Sequence, residues 1–96
     1  MCTYLTEKVQ IEGSGKGANG WFGLSHATVY VDHPVHASYA HTVNIDFINP
    51  AEGASARVAV ELTEEAARAL VEAINAAIAS APPGLASASQ DVTAAH

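Results

Sequence analysis

The chain has 96 residues, of which 49% are apolar and 15% charged, with a formal net charge of −6. That length sets one domain with a thin core, burying roughly 60–70% of the surface its unfolded chain exposes, and the composition is that of a folded protein. Only Lys8, Lys16, Arg57 and Arg68 are positive, so no basic stripe exists to neutralise phosphates, which excludes nucleic acid and an anionic membrane surface as partners.

Cys2 to Ile11 reads as a first strand, in which Leu5, Val9 and Ile11 share one parity and Tyr4, Thr6, Lys8 and Gln10 the other. The stretch Gly13-Ser14-Gly15-Lys16-Gly17-Ala18-Asn19-Gly20 is dense in glycine and reads as a hairpin loop, or a lid over a pocket. Trp21 to Asp32 is a second strand, rich in aromatic and β-branched residues. His41 to Ile48 is a third, with Val43, Ile45 and Phe47 alternating against Thr42, Asn44 and Asp46. Asn49 to Gly53 makes a turn, and Ala56 to Leu62 a fourth strand with Val58, Val60 and Leu62 on one side.

Thr63 then serves as a helix N-cap, followed by Glu64 and Glu65 where the helix dipole favours negative charge. Ala66, Ala67, Leu70, Val71, Ile74, Ala77 and Ile78 recur at helical spacing, and Pro82-Pro83-Gly84 ends the helix. The predicted fold is therefore α+β: a four-stranded antiparallel sheet with one C-terminal helix packed on one face, ββββα. Residues 1–82 make the single domain and residues 83–96 a disordered tail without periodicity. Short connections dictate antiparallel pairing, because parallel pairs need a crossover of a dozen or more residues. The helix is expected across the face of Val43, Ile45, Phe47, Val58, Val60 and Leu62, with Asn44, Asp46, Arg57 and Glu61 on the other.

No apolar run approaches the roughly 18–20 residues of a membrane span, and no secretory leader pattern opens the chain. The single Cys2 excludes an intrachain disulfide, which points to a reducing cytoplasm.

Chemistry concentrates between the second and third strands. His33, His36 and His41 fall within nine residues of a chain that holds five histidines in all. Imidazole titrates near neutral pH and binds transition metals as a neutral donor. If the two strands form a hairpin centred near His36, paired residue numbers sum to about 74, which sets His33 opposite His41 across the neck. Opposed residues lie roughly 4.5–5.5 Å apart, so two imidazoles can meet one ion at about 2.0–2.1 Å each. Asp32 or Tyr39 would add an oxygen ligand or an acceptor behind the imidazoles. Three histidines suit a divalent transition metal (zinc, copper, nickel or iron). His-x2-His-x4-His is no recognised signature, and the plain alternative is a polar surface loop that binds nothing. His26 stands seven residues before His33 on one strand, roughly 20 Å or more away at about 3.3 Å per residue, and falls outside the cluster.

Other candidates carry weaker patterns. Cys2 is the only thiol, a nucleophile or ligand if a histidine lies near it and otherwise a strand-end packing residue. Gly13 to Gly20 lacks the Walker pattern, because Lys16 is followed by Gly17 and the loop leads into a strand with no helix N-terminus to hold a phosphate. The polar face could offer Asp46 and Glu61 as a carboxylate pair with Glu61 as base, or be simply a solvated surface.

Five blocks stand out: Met1-Cys2-Thr3-Tyr4-Leu5-Thr6-Glu7, Gly13 to Gly17 with Gly20-Trp21-Phe22, Asp32-His33-Pro34, Ile45-Asp46-Phe47 and Val58 to Leu62. Over about residues 1–80 the chain resembles a family of small uncharacterised proteins common in actinobacteria. The resemblance implies a bacterial, cytoplasmic setting, brings no activity with it, and marks Cys2, Asp32 and His33 as parts of recognisable blocks.

Two functions are then expected. One is a small metal-binding protein, possibly a metal-dependent enzyme on a small molecule, with the ion on His33, His36 and His41 and with Glu61 or Cys2 acting on the substrate. The other is a non-catalytic dimeric interaction module, a homodimer using the polar sheet face or an edge strand.

Overall fold

A computed structural model describes residues 5–33 and 40–85. Four strands, β1 (Glu7–Gly17), β2 (Gly20–Asp32), β3 (Thr42–Ile48) and β4 (Arg57–Leu62), are followed by helix α1 (Glu64–Ser80). The strands form one antiparallel sheet in the order β1-β2-β3-β4. The fold is α+β, as the hydrophobic periodicity predicts. The chain divides into two compact units, Met1–Glu65 and Ala66–His96.

The first strand departs from its predicted limits. Leu5 and Thr6 lie outside β1, which starts at Glu7 and runs through the glycine-rich stretch to Gly17. That stretch is not a loop. Only Ala18 and Asn19 form the turn, and Gly17 pairs with Gly20 across it. The physical reason lies on the partner strand. A Cβ added at Gly15 would come within 3.3 Å of the Leu24 side chain, and one at Gly17 within 3.0 Å of the Phe22 ring. The large side chains of β2 thus lie over bare backbone in β1, so glycine here serves packing as well as turning. Gly20 itself has φ 110°, a conformation that L side chains rarely adopt.

Between Gln10 and Gly13 the register shifts, with one extra residue on β1 against β2. Such a bulge bends the strand and increases its twist. The sheet is curled enough that a Cβ on Gly17 would sit 3.8 Å from the Arg57 carbonyl oxygen, so the end of β1 reaches the start of β4.

Register sorts the side chains into two faces. Val29, Ile45 and Val60 align across β2, β3 and β4, as do Ala27, Phe47 and Val58. Thr28, Asp46 and Ala59 align on the opposite face, next to Tyr30, Asn44 and Glu61. Among the described residues the buried apolar ones are only Ala27 and Ala56, which is the thin core that the chain length implies. The polar face is not simply a wet surface, because Thr42 and Asn44 are 2% and 7% exposed.

The turn after β3 is a short 3-10 helix, Pro50–Glu52, whose Asn49 cap accepts a hydrogen bond from the Ala51 amide. The Asn49 side chain also donates to the Gly23 carbonyl at 2.8 Å, tying this connection to β2. Helix α1 starts directly after Thr63 with Glu64 and Glu65 in its first turn and ends before Pro82 and Pro83. No residue of α1 is buried, and its apolar stripe of Leu70, Val71, Ile74 and Ile78 is exposed. Among the described residues, no helix is long and apolar enough to cross a membrane. The predicted tail beyond Leu85 lies outside the described residues.

Two glycines of the first hairpin should respond oppositely to alanine. Gly20→Ala forces a side chain into a positive-φ site and is expected to cost about 1–2 kcal/mol. Gly13→Ala meets nothing within 4 Å, and by restricting the unfolded chain it is expected to be neutral or stabilising by up to about 1 kcal/mol. Urea denaturation of both variants measures the pair.

Candidate functional site

Tyr30 on β2, Asn44 and Asp46 on β3, and Arg57 and Glu61 on β4 project from one face because each falls on the same parity of its ladder. They line a cavity of about 220 Å³ whose rim includes Asp32 and His33. A chain of hydrogen bonds runs through it. Thr42 Oγ1 donates to Asn44 Oδ1 at 2.6 Å, Tyr30 Oη donates to Asp46 Oδ2 at 3.2 Å, and Arg57 Nη2 donates to Asp46 Oδ1 at 2.9 Å. The Asn44 side chain also bonds the Tyr30 phenol. Asp46, with a side chain 15% exposed, therefore holds a cation on one oxygen and a phenol on the other.

These contacts set the Tyr30 proton. Burial raises its pKa above the usual 10.0, and the Asp46 charge and hydrogen bond push the same way, while the Asn44 bond and the Arg57 charge oppose them. An Asp46–Glu61 carboxylate pair is among the sequence expectations. Asp46 is bonded to Arg57 and Tyr30, and Glu61, opposite Asn44, lines the same cavity.

At the cavity rim the β2–β3 ladder ends with Asp32 opposite Thr42, and each pair of residue numbers in it sums to the predicted 74. His33 and His41 follow as the next opposed pair, with ring centroids 4.6 Å apart and planes tilted by 31°. His33 is held at two points. Its backbone amide donates to Asp32 Oδ1 at 2.7 Å, and its Nδ1 lies 2.9 Å from the Ala40 carbonyl oxygen. A carbonyl only accepts, so Nδ1 carries the proton, and in the neutral ring Nε2 is left as the lone-pair nitrogen. Both rings are exposed.

The third histidine of the cluster, His36, lies outside the described residues, as do Cys2 and Tyr39. Among the described residues, no group of three or more His, Cys, Asp or Glu side chains is placed to hold a metal ion. His26 sits within β2 opposite Ile48, where its Nδ1 is hydrogen-bonded to Ser25 Oγ at 2.8 Å. Sequence reasoning missed the link from Tyr30 to Asp46. Its signal was present: under a pairing sum of 74, Tyr30 is diagonal to Asp46 on one face.

Compared with known proteins, the chain matches one family model, described as "Family of unknown function (DUF6295)", over residues 1–87. No curated protein and no solved structure matches it.

The Tyr30 proton gives a test of the network. Its folded pKa exceeds its unfolded value, so its stabilising contribution is intact below pH 10.0 and is lost as pH rises through the folded value. Phenolate absorbance of the wild type minus that of Tyr30→Phe should show a component with its midpoint above 10.0. Asp46→Asn removes the carboxylate charge and leaves only a neutral acceptor for the phenol, and should move that component down.

Proposed function

This chain belongs to the family of unknown function (DUF6295), and we propose from its own site that it is a small metal-binding protein. In this reading a divalent transition metal sits at the neck of the β2–β3 hairpin, and the adjoining cavity admits a small polar molecule. The observation that carries the reading is the opposed pair His33 and His41, with ring centroids 4.6 Å apart. His33 adds a second support, since metal-bound histidines characteristically donate their other ring N–H to a carbonyl or carboxylate, as His33 does to Ala40. Two imidazoles make an incomplete shell for zinc, copper, nickel or iron. His36 is the third ligand by proximity in sequence, and an open position remains for water or substrate.

Such an ion would act as a Lewis acid or lower the pKa of a bound water. Glu61, on the wall of the cavity that His33 rims, is the candidate base. Cys2 is a further candidate on sequence grounds. The bacterial, actinobacterial and cytoplasmic setting belongs to the same proposal.

A non-catalytic homodimer is the second reading, favoured by the exposure of Leu5 and of Val9 on edge strand β1. Light scattering tests it, with a monomer at micromolar concentration counting against it.

Metal content and thermal midpoint with and without a chelator test the first reading. An ion that binds only the folded state, present at a hundred times its Kd, adds about 2.7 kcal/mol. The wild-type midpoint should fall on chelation, and the double variant His33→Ala, His41→Ala should show no such fall. Stoichiometric metal retained by the double variant, or a metal-free wild type indifferent to added zinc, copper, nickel and iron, would sink the proposal.

A further inference from the structure

A second cavity, of about 260 Å³, lies between the tip of the β1–β2 hairpin and the connection into β4. It shares no residue with the histidine pair or with the Tyr30–Asp46 cavity. We propose that it binds a neutral, sugar-like polyol.

The argument starts from what lines it. Trp21 is the only tryptophan of the chain and stays 70% exposed on the rim. An indole left bare beside a polar cavity offers a flat apolar face and one N–H donor. Around it stand the Glu52 carboxylate, the Asn19 amide and the Ser55 hydroxyl. None of these three side chains makes a hydrogen bond or ion pair to another described residue. The first cavity is the opposite case, because Tyr30, Asn44, Asp46 and Arg57 there satisfy one another.

The walls are also preformed. A Cβ at Gly17 would come within 3.0 Å of the Phe22 ring, Gly20 closes the turn at φ 110°, and Asn49 ties the second wall to Gly23. A cavity fixed before binding orders little on binding, and so keeps more of its contact energy as affinity.

The donor set selects the ligand class. Glu52 and the net charge of −6 repel an anion. A simple cation would use Glu52 and the indole face but leave the amide, hydroxyl and indole N–H donors idle. A pyranose uses the indole face, the carboxylate, the amide and the hydroxyl together: its C–H face stacks on the indole, its hydroxyls donate to Glu52, and its oxygens accept from Asn19 and Ser55.

Because Trp21 is the only tryptophan, its emission reads this site directly. The full chain is titrated with neutral methyl glycosides of common hexoses, pentoses and N-acetylhexosamines, and separately with tetramethylammonium, adenosine and inorganic phosphate. A saturable emission change with one glycoside is expected. Ligand-observed NMR should show that binding lost in Trp21→Ala and weakened about tenfold in Glu52→Gln, the loss of one charge-assisted hydrogen bond. Ser55→Ala, at an exposed position, provides a second variant if either of these unfolds by circular dichroism. Tighter binding of tetramethylammonium, adenosine or phosphate than of every glycoside overturns the ligand class. Glycoside binding untouched by these substitutions overturns the site, and no glycoside binding by either method overturns the proposal.

Discussion

Val29 lies opposite Ile45 and Asp32 opposite Thr42 in the ladder between β2 and β3, and both faces of the molecule hang on that register. Side chains alternate with a period of two, so a slip of one residue would turn Val43, Ile45 and Phe47 to the polar side and carry Asn44 and Asp46 to the apolar one. The register also aims the hairpin neck. It delivers His33 and His41 to each other and seats Tyr30 within reach of Asp46. Asp32 reinforces the arrangement locally by accepting the His33 backbone amide just where the ladder ends.

The polar face shows how a small chain handles buried polarity. Thr42 and Asn44 are the most deeply buried polar residues among those described, and their bond to each other, continued through Tyr30 and Asp46 to Arg57, leaves these groups satisfied. The Arg57–Asp46 ion pair is half open to water on the arginine side and contributes about 0–1 kcal/mol as a surface pair. Its larger effect is orientation, since it fixes one carboxylate oxygen and leaves the other for the phenol. The glycine-rich hairpin solves a different problem. Removing side chains from β1 lets Phe22 and Leu24 fold over the backbone, beside a cavity edged by exposed polar groups.

Much of this was legible in advance, for reasons that can be named. β2, β3 and β4 carry strong alternation and lie within a residue of their predicted limits, and the prolines after Ser80 mark the end of α1. The facing of His33 and His41 follows from hairpin symmetry alone. The glycine stretch reads as a loop along the chain because glycine lowers strand propensity locally, while the compensating packing comes from Phe22 and Leu24 on the neighbouring strand. Parity places Asp46 and Glu61 on one face, but it does not say which partners a carboxylate takes when a guanidinium and a phenol are both within reach.

The sequence by itself determined the element order, the antiparallel pairing, the two faces and the meeting of two histidines, because each depends on periodicity and on short connections. Only the tertiary structure decided that β1 continues through Gly17, that Thr42 and Asn44 are buried, that Asp46 is shared between Tyr30 and Arg57, and that Trp21 edges a second cavity. The last of these depends on the curl of the sheet, which brings the end of β1 to the start of β4. Curl is a property of packed strands together, and no pattern along a single strand encodes it.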